Sequence, residues 1–286
     1  MSVDTRVYPF DVAALSLTQS AVNYDYTDLF QDCEVTLEVE TEQSVAARDV
    51  ASATLGFEYN VPKARGYSVR LGNALGVPAN GVSGRKFGWD FTLLSAGDVN
   101  LLNLFTVARV NISKTFAEAR AARDRIAVSD GGLGGWRFPR VKSNRLEFDL
   151  EALVDDSPDA FEIGIGDGSG NDTVWNSTIA YSLTAGGIAL TGNGALSGSR
   201  FGHSSDETKQ GITLASQGLP TITETVGSAV LLKRALSNLT FGITLTRPGG
   251  TTYSGEVYIE EASLEGPEGA CLQGATLRGY GPLLPA

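Results

Sequence analysis

Sulfur and histidine are scarce in this chain: its 286 residues hold two cysteines, one methionine and one histidine. Cys33 and Cys271 are too few for a disulfide scaffold or a four-cysteine zinc site. They stand near opposite ends of the chain, and a disulfide between them is geometrically open. The reading we prefer is two small buried hydrophobes in a reducing compartment. The single histidine, His203, lies in Gly202-His-Ser-Ser-Asp-Glu, and no Gly-x-Ser-x-Gly elbow occurs. Ser204, Ser205 and Asp206 are mere sequence neighbours, whereas a triad converges from separate elements, so no catalytic residue is assigned and the chain is not expected to be an enzyme.

Two further absences narrow the classes. No window of about 18 apolar residues occurs, so no membrane span is expected. The opening Met1-Ser-Val-Asp-Thr-Arg-Val-Tyr-Pro-Phe has neither a basic nor an apolar signal region, so no secretory signal is expected. Basic charge is short as well: 22 Lys and Arg against 33 Asp and Glu give a net charge of -11. That balance opposes non-specific adhesion to DNA, RNA or anionic lipid, because phosphate affinity comes from clustered Lys and Arg.

What is present is turn-rich and β-like. The hydrophobic fraction of 42% supports a core, and 34 glycines beside 10 prolines indicate many turns and little helix. Val257 and Ile259 alternate with Glu256, Tyr258 and Glu260, and Gly266-Pro267-Glu268-Gly269 supplies a turn. With the alternating Leu239 to Leu245 upstream, the chain is predicted to close as a three-stranded antiparallel meander. Residues 33–42 form a clear strand, with Val35, Leu37 and Val39 opposite Glu34, Thr36, Glu38 and Glu40. Residues 145–154 repeat it, with Leu146, Phe148 and Leu150 opposite Glu147, Asp149 and Glu151. A hairpin is predicted over 54–71, turning at Pro62, and a long flexible loop over 73–88. Strands are also expected at Trp89 to Leu93, at 161–165, 174–183 and 188–190, and as a pair over 221–232 broken at Gly227-Ser228. Asp98 opens either a short helix or a buried strand. Thr115-x-x-Glu118 reads as a capping box starting one helix with Phe116, Ala119 and Ile126 on a face.

Other motifs carry less chemistry. Gly164 to Asp172 offers oxygen ligands and glycines but matches neither a calcium-binding EF-hand nor a phosphate loop, so no metal or cofactor is assigned. The glycine-rich stretch 128–140 carries Trp136, Arg137, Phe138 and Arg140. Those residue types suit a protein-protein contact, and a loop folded back with Trp136 in the core is the alternative. The two acidic rows suit a solvated outer sheet face or an anionic lining.

The closing segment resembles bacteriophage tail tube proteins, also called major tail proteins. The match runs through Gly255-Glu-Val-Tyr-Ile, Glu265-Gly-Pro-Glu-Gly and Ala275-Thr-Leu-Arg-Gly-Tyr-Gly281, about the last quarter of the chain. The resemblance implies a β-sandwich or barrel with one flanking helix and long loops. It also implies a virion tail protein assembled in the host cytoplasm, stacking with itself as hexameric or pseudo-hexameric rings. Tail sheath, tape measure and tail terminator proteins are its implied partners, and DNA would pass without specific binding. Glu34, Glu38, Glu40, Glu147, Asp149 and Glu151 would then face the lumen, and Trp136, Arg137, Phe138 and Arg140 a subunit or ring interface. The chain is longer than many members, which leaves one enlarged domain or a duplicated one, divided near 155–160, although no residue-by-residue repeat joins the halves. A decoration or adhesin sandwich and a carbohydrate-binding module are the rival readings.

Overall fold

The computed structural model describes residues 14–26, 30, 32–45, 58–74, 77–79, 82–85, 91–96, 99–100, 107–119, 135–153, 178–185, 188–203, 208–224, 231–247, 249–266 and 272–286. The fold is mainly antiparallel β with one short helix among the described residues. In chain order the strands are β1 (Ala14–Gln19), β2 (Val22–Asp25), β3 (Asp32–Val45), β4 (Glu58–Ala74), β5 (Val77–Ala79) and β6 (Val82–Arg85). Next come β7 (Phe91–Ala96), β8 (Val99–Asn100), β9 (Val107–Ala119), β10 (Phe138–Leu153), β11 (Ile179–Ala185) and β12 (Ile188–His203). After β13 (Thr208–Ser216) and β14 (Thr221–Glu224), helix α1 (Leu231–Ala235) precedes β15 (Phe241–Thr246), β16 (Thr252–Gly266) and β17 (Leu272–Pro285).

All but β5 and β6 join one 15-stranded open sheet. Open sheets rarely exceed about 10 strands without curling. Here the buried side chains form one cluster running from Leu15 on β1 to Leu277 on β17. The period-2 patterns drive this burial. Val257 and Ile259 on β16 are 0% exposed, as is Leu150 on β10. The predicted meander is present, β15 pairing with β16 and β16 with β17. Helix α1 puts Leu231, Leu232 and Ala235 into the same core. Its first backbone N–H is held by the Gln273 side-chain oxygen at 3.1 Å.

The pairings repeat. Strands β1, β2, β3, β4, β15, β16 and β17 pair first with second, first with fifth, fifth with sixth, sixth with seventh, seventh with fourth and fourth with third. Strands β7 to β13 pair in the same six ways. The bulges coincide too. Lys63 is the extra residue opposite Glu40/Thr41, and Lys142 is extra between Val141 and Ser143. The sixth strands slip between Ile259 and Glu261 and between Leu196 and Gly198. These registers superpose Gly274-Ala-Thr-Leu277 on Gly211-Ile-Thr-Leu214. The second seven strands lie in the chain between the fourth and fifth of the first set. A comparison of the two halves of the sequence therefore misses the repeat.

Four sequence expectations are corrected. Thr115 to Ala119 is the end of strand β9, in register with β10 from Phe138 to Ser143, so the capping box caps nothing. Ladder pairing along a long hairpin overrides local helix preference. The rest of that predicted helix lies outside the described residues. Pro62 does not turn the chain: β4 runs unbroken for 17 residues, with Pro62 beside a bulge, a position where its missing N–H is tolerated. The loop predicted over 73–88 contains the paired strands β5 and β6, with Ala79 opposite Val82; Asn80 and Gly81 lie outside the described residues. The second strand predicted over 221–232 is replaced at Leu231 by α1. The segments 161–165 and 164–172 lie outside the described residues.

Candidate functional site: one polar sheet face

Because directly opposed residues share a face, the registers define a single polar surface across β3, β4, β17, β16, β9, β10, β13 and β12. One row runs from Glu34 to Arg70, Thr276, Glu261, Ser113 and Arg145. Another runs from Glu265 to Arg109, Asp149, Thr213 and Gly198. Beneath them the alternate residues, Val69, Leu277, Ala262, Ile112 and Leu146 among them, are buried. The two acidic rows read from the sequence thus lie on one face. Glu34 and Glu38 are exposed, Glu147, Asp149 and Glu151 half-buried, and the Glu40 side chain is outside the described set.

The face is mixed in charge. Glu147 meets Arg145 at 2.5 Å, and Glu151 meets Arg200 at 3.2 Å and Lys209 at 3.4 Å. Asp149 accepts from the Thr213 hydroxyl at 2.8 Å, and Glu261 from the Asn111 amide at 3.0 Å. Glu260, the bulge residue, holds Arg278 at 3.1 Å. Alternation picks out the acids readily; the interleaved arginines come from strands whose partners the sequence does not name. Where β17 carries Gly274 and Ala275, a groove of about 260 Å³ opens, edged by Arg70, Arg109, Glu261 and Glu265.

At one end of the face, aromatic rings gather. Tyr258 and Tyr280 are 5.6 Å apart, Phe138 and Tyr280 5.1 Å, and Phe116 lies 5.6 Å from Tyr258. Arg278 stacks 5.3 Å over Phe116. Burial, then the neighbouring Tyr280 and Glu256, push the Tyr258 hydroxyl up, against a smaller opposing pull from Arg140. Of the predicted interface residues, Trp136 is half-buried against the core and meets Tyr67 edge on at 6.3 Å. Arg137 pairs with Glu38 at 3.2 Å, Phe138 joins the ring cluster and Arg140 is exposed.

The described residues contain no group of three or more His, Cys, Asp or Glu placed to hold a metal. Cys33 is a free thiol that burial pushes up to about 11, far from a reactive thiolate. None of the described helices is long and apolar enough to cross a membrane. His203 ends β12, and Ser204 to Asp206 lie outside the described residues.

No protein-family model matches the chain, and no curated protein matches it. Among solved structures, a chain of the virion of a native gene transfer agent particle aligns at 11% identity with a TM-score of 0.32. The alignment covers 49% of this chain and 99% of that chain.

Proposed function

We propose that this chain is a structural virion protein that assembles with itself into stacked rings forming a tail tube. The observation that carries the reading is the polar face: eight strands wide, in continuous register, and ending at strands with open edges among the described residues. The long β3 pairs only with β4, and β12 beyond Gly194 pairs only with β13. Open edges of that kind are templates for another chain. Two sets of seven strands in one chain make three chains the equivalent of six units, the number in the hexameric rings that the tail tube resemblance implies.

In this reading the polar face lines the conduit. Its arginines are interleaved with carboxylates, Arg145, Arg200 and Arg278 each pairing with one, so a passing polyanion finds no continuous basic track to bind. Sheath, tape measure and terminator proteins are the partners of such a tube. The ring cluster around Tyr258 is stacked on itself and half-buried, which does not favour a flat sugar-binding platform. The test is electron microscopy with light scattering on the purified chain at rising concentration. Rings or tubes with an open centre are expected. Discrete particles at every concentration, also with tail tips added as initiators, would overturn the proposal.

A further inference from the structure

Among the described residues, the sheets of the two seven-strand units are joined strand to strand by β16 and β9. The sixth strand of the first unit, β16, passes its bulge at Glu260 and pairs from Glu261 to Gly266 with β9, the third strand of the second unit. The register sets Glu261 against Ser113, Ser263 against Asn111 and Glu265 against Arg109. The equivalent strands are β12, past its own bulge at Ser197, and β3. Among the described residues neither has a partner along the corresponding edge.

Burial marks the same vacancy. Aligning the bulges at Lys63 and Lys142 makes Leu37 the counterpart of Ile112 and Val35 that of Val110. Ile112 and Val110 are 0% and 1% exposed at the internal junction, whereas Leu37 is 65% exposed. A leucine on the apolar side of an edge strand lacks the neighbour that its counterpart has.

We infer that β12 of one copy pairs antiparallel with β3 of the next copy, in the register of the internal β16–β9 junction. This rests on the assembly reading above and names its contact. Transferring the register sets Gly198 opposite Glu38, Arg200 opposite Thr36 and Gly202 opposite Glu34 of the next copy. Arg200, 57% exposed beside Glu151, then lies diagonally between Glu34 and Glu38, both exposed on the same face. An acidic strand would repel a second β3 in a two-fold arrangement, so the contact is head to tail, as a ring needs. Leu37 is covered by the added strand.

The test is a paired-cysteine variant, Leu37→Cys with Ser199→Cys, which the transferred register sets opposite each other and which keeps Arg200, in a chain whose Cys33 and Cys271 are serine. Oxidation is expected to link copies covalently, while each single variant and the two-residue-shifted pair Val35→Cys with Ser199→Cys give little product. Alongside it, Arg200→Glu is expected to lose association with circular dichroism unchanged, and Glu34→Lys with Glu38→Lys added is expected to restore it. Rings that form without the cross-link would overturn this contact and leave the tube reading standing. Cross-linked copies that never build rings would uphold the contact and sink the tube. Neither rings nor cross-links would overturn both.

Discussion

Lys114 is the residue whose chemistry is most at odds with its place. It sits on the core side of β9 at 5% exposed, and its ammonium donates to the Ser237 carbonyl beyond α1. Burial lowers its pKa from 10.5 to about 8. The folded state thus holds this proton less tightly than the unfolded chain. Between about pH 8 and 10.5 the unfolded state binds more protons, so this group makes stability rise with pH; below pH 8 the cost of burying the charge is present in full. The shift corresponds to on the order of 3 kcal/mol across the whole window. Urea unfolding from pH 7.5 to 9.5 (roughly the lower part of that window) is expected to show the midpoint climbing in the native protein. In Lys114→Met the climb from this group should vanish. An equal rise in the variant would mean that Lys114 is not the source. Sequence alternation placed 110, 112 and 114 on one side of a strand only once the register with β10 was known, because the capping-box pattern at Thr115 reads equally well as a helix start.

Elements were legible where two signals agreed. Strands β10, β15 and β16 alternate cleanly, and their buried and exposed sides fall as the pattern says, whereas on β3 Leu37 of the apolar side stands 65% exposed. Local signals misled where pairing partners far away decide, as at Pro62, which the long β3–β4 ladder carries past, and at Leu231, which a buried glutamine from β17 caps. The polar face was half legible: its acidic rows show in the sequence, but the arginines between them become neighbours only through the registers. The β1–β2 hairpin gave no turn signal at all. Its two-residue loop, Ser20-Ala21, holds φ of 50° and 64°, a conformation in which L side chains are strained and for which Asn-Gly is the usual solution. Both residues are exposed, so nothing else fixes their identity. Ser20→Asn with Ala21→Gly is expected to stabilise the protein by about 1 to 2 kcal/mol, read as a shift of the urea midpoint. An unchanged or lowered midpoint would show that the turn strain is relieved in another way.

At the scale of the whole molecule, two electrostatic effects oppose each other. Each chain carries a net charge of -11, so copies repel at long range. The proposed contact, by contrast, brings Arg200 to within side-chain reach of two carboxylates, an attraction that acts only at short range. Salt separates the two. Raising ionic strength from about 0.01 M to 0.15 M shrinks the screening length from roughly 30 Å to 8 Å, which removes most of the repulsion between approaching chains and little of a contact a few ångströms long. The rate of assembly, followed by light scattering, is therefore expected to rise with salt across this range and then level off. Arg200→Glu should show no assembly at any salt in that range, because screening removes repulsion without supplying the lost pair. A rate that falls steadily from the lowest salt would mean that attraction between unlike patches governs the encounter, and that the acidic excess is not what limits it.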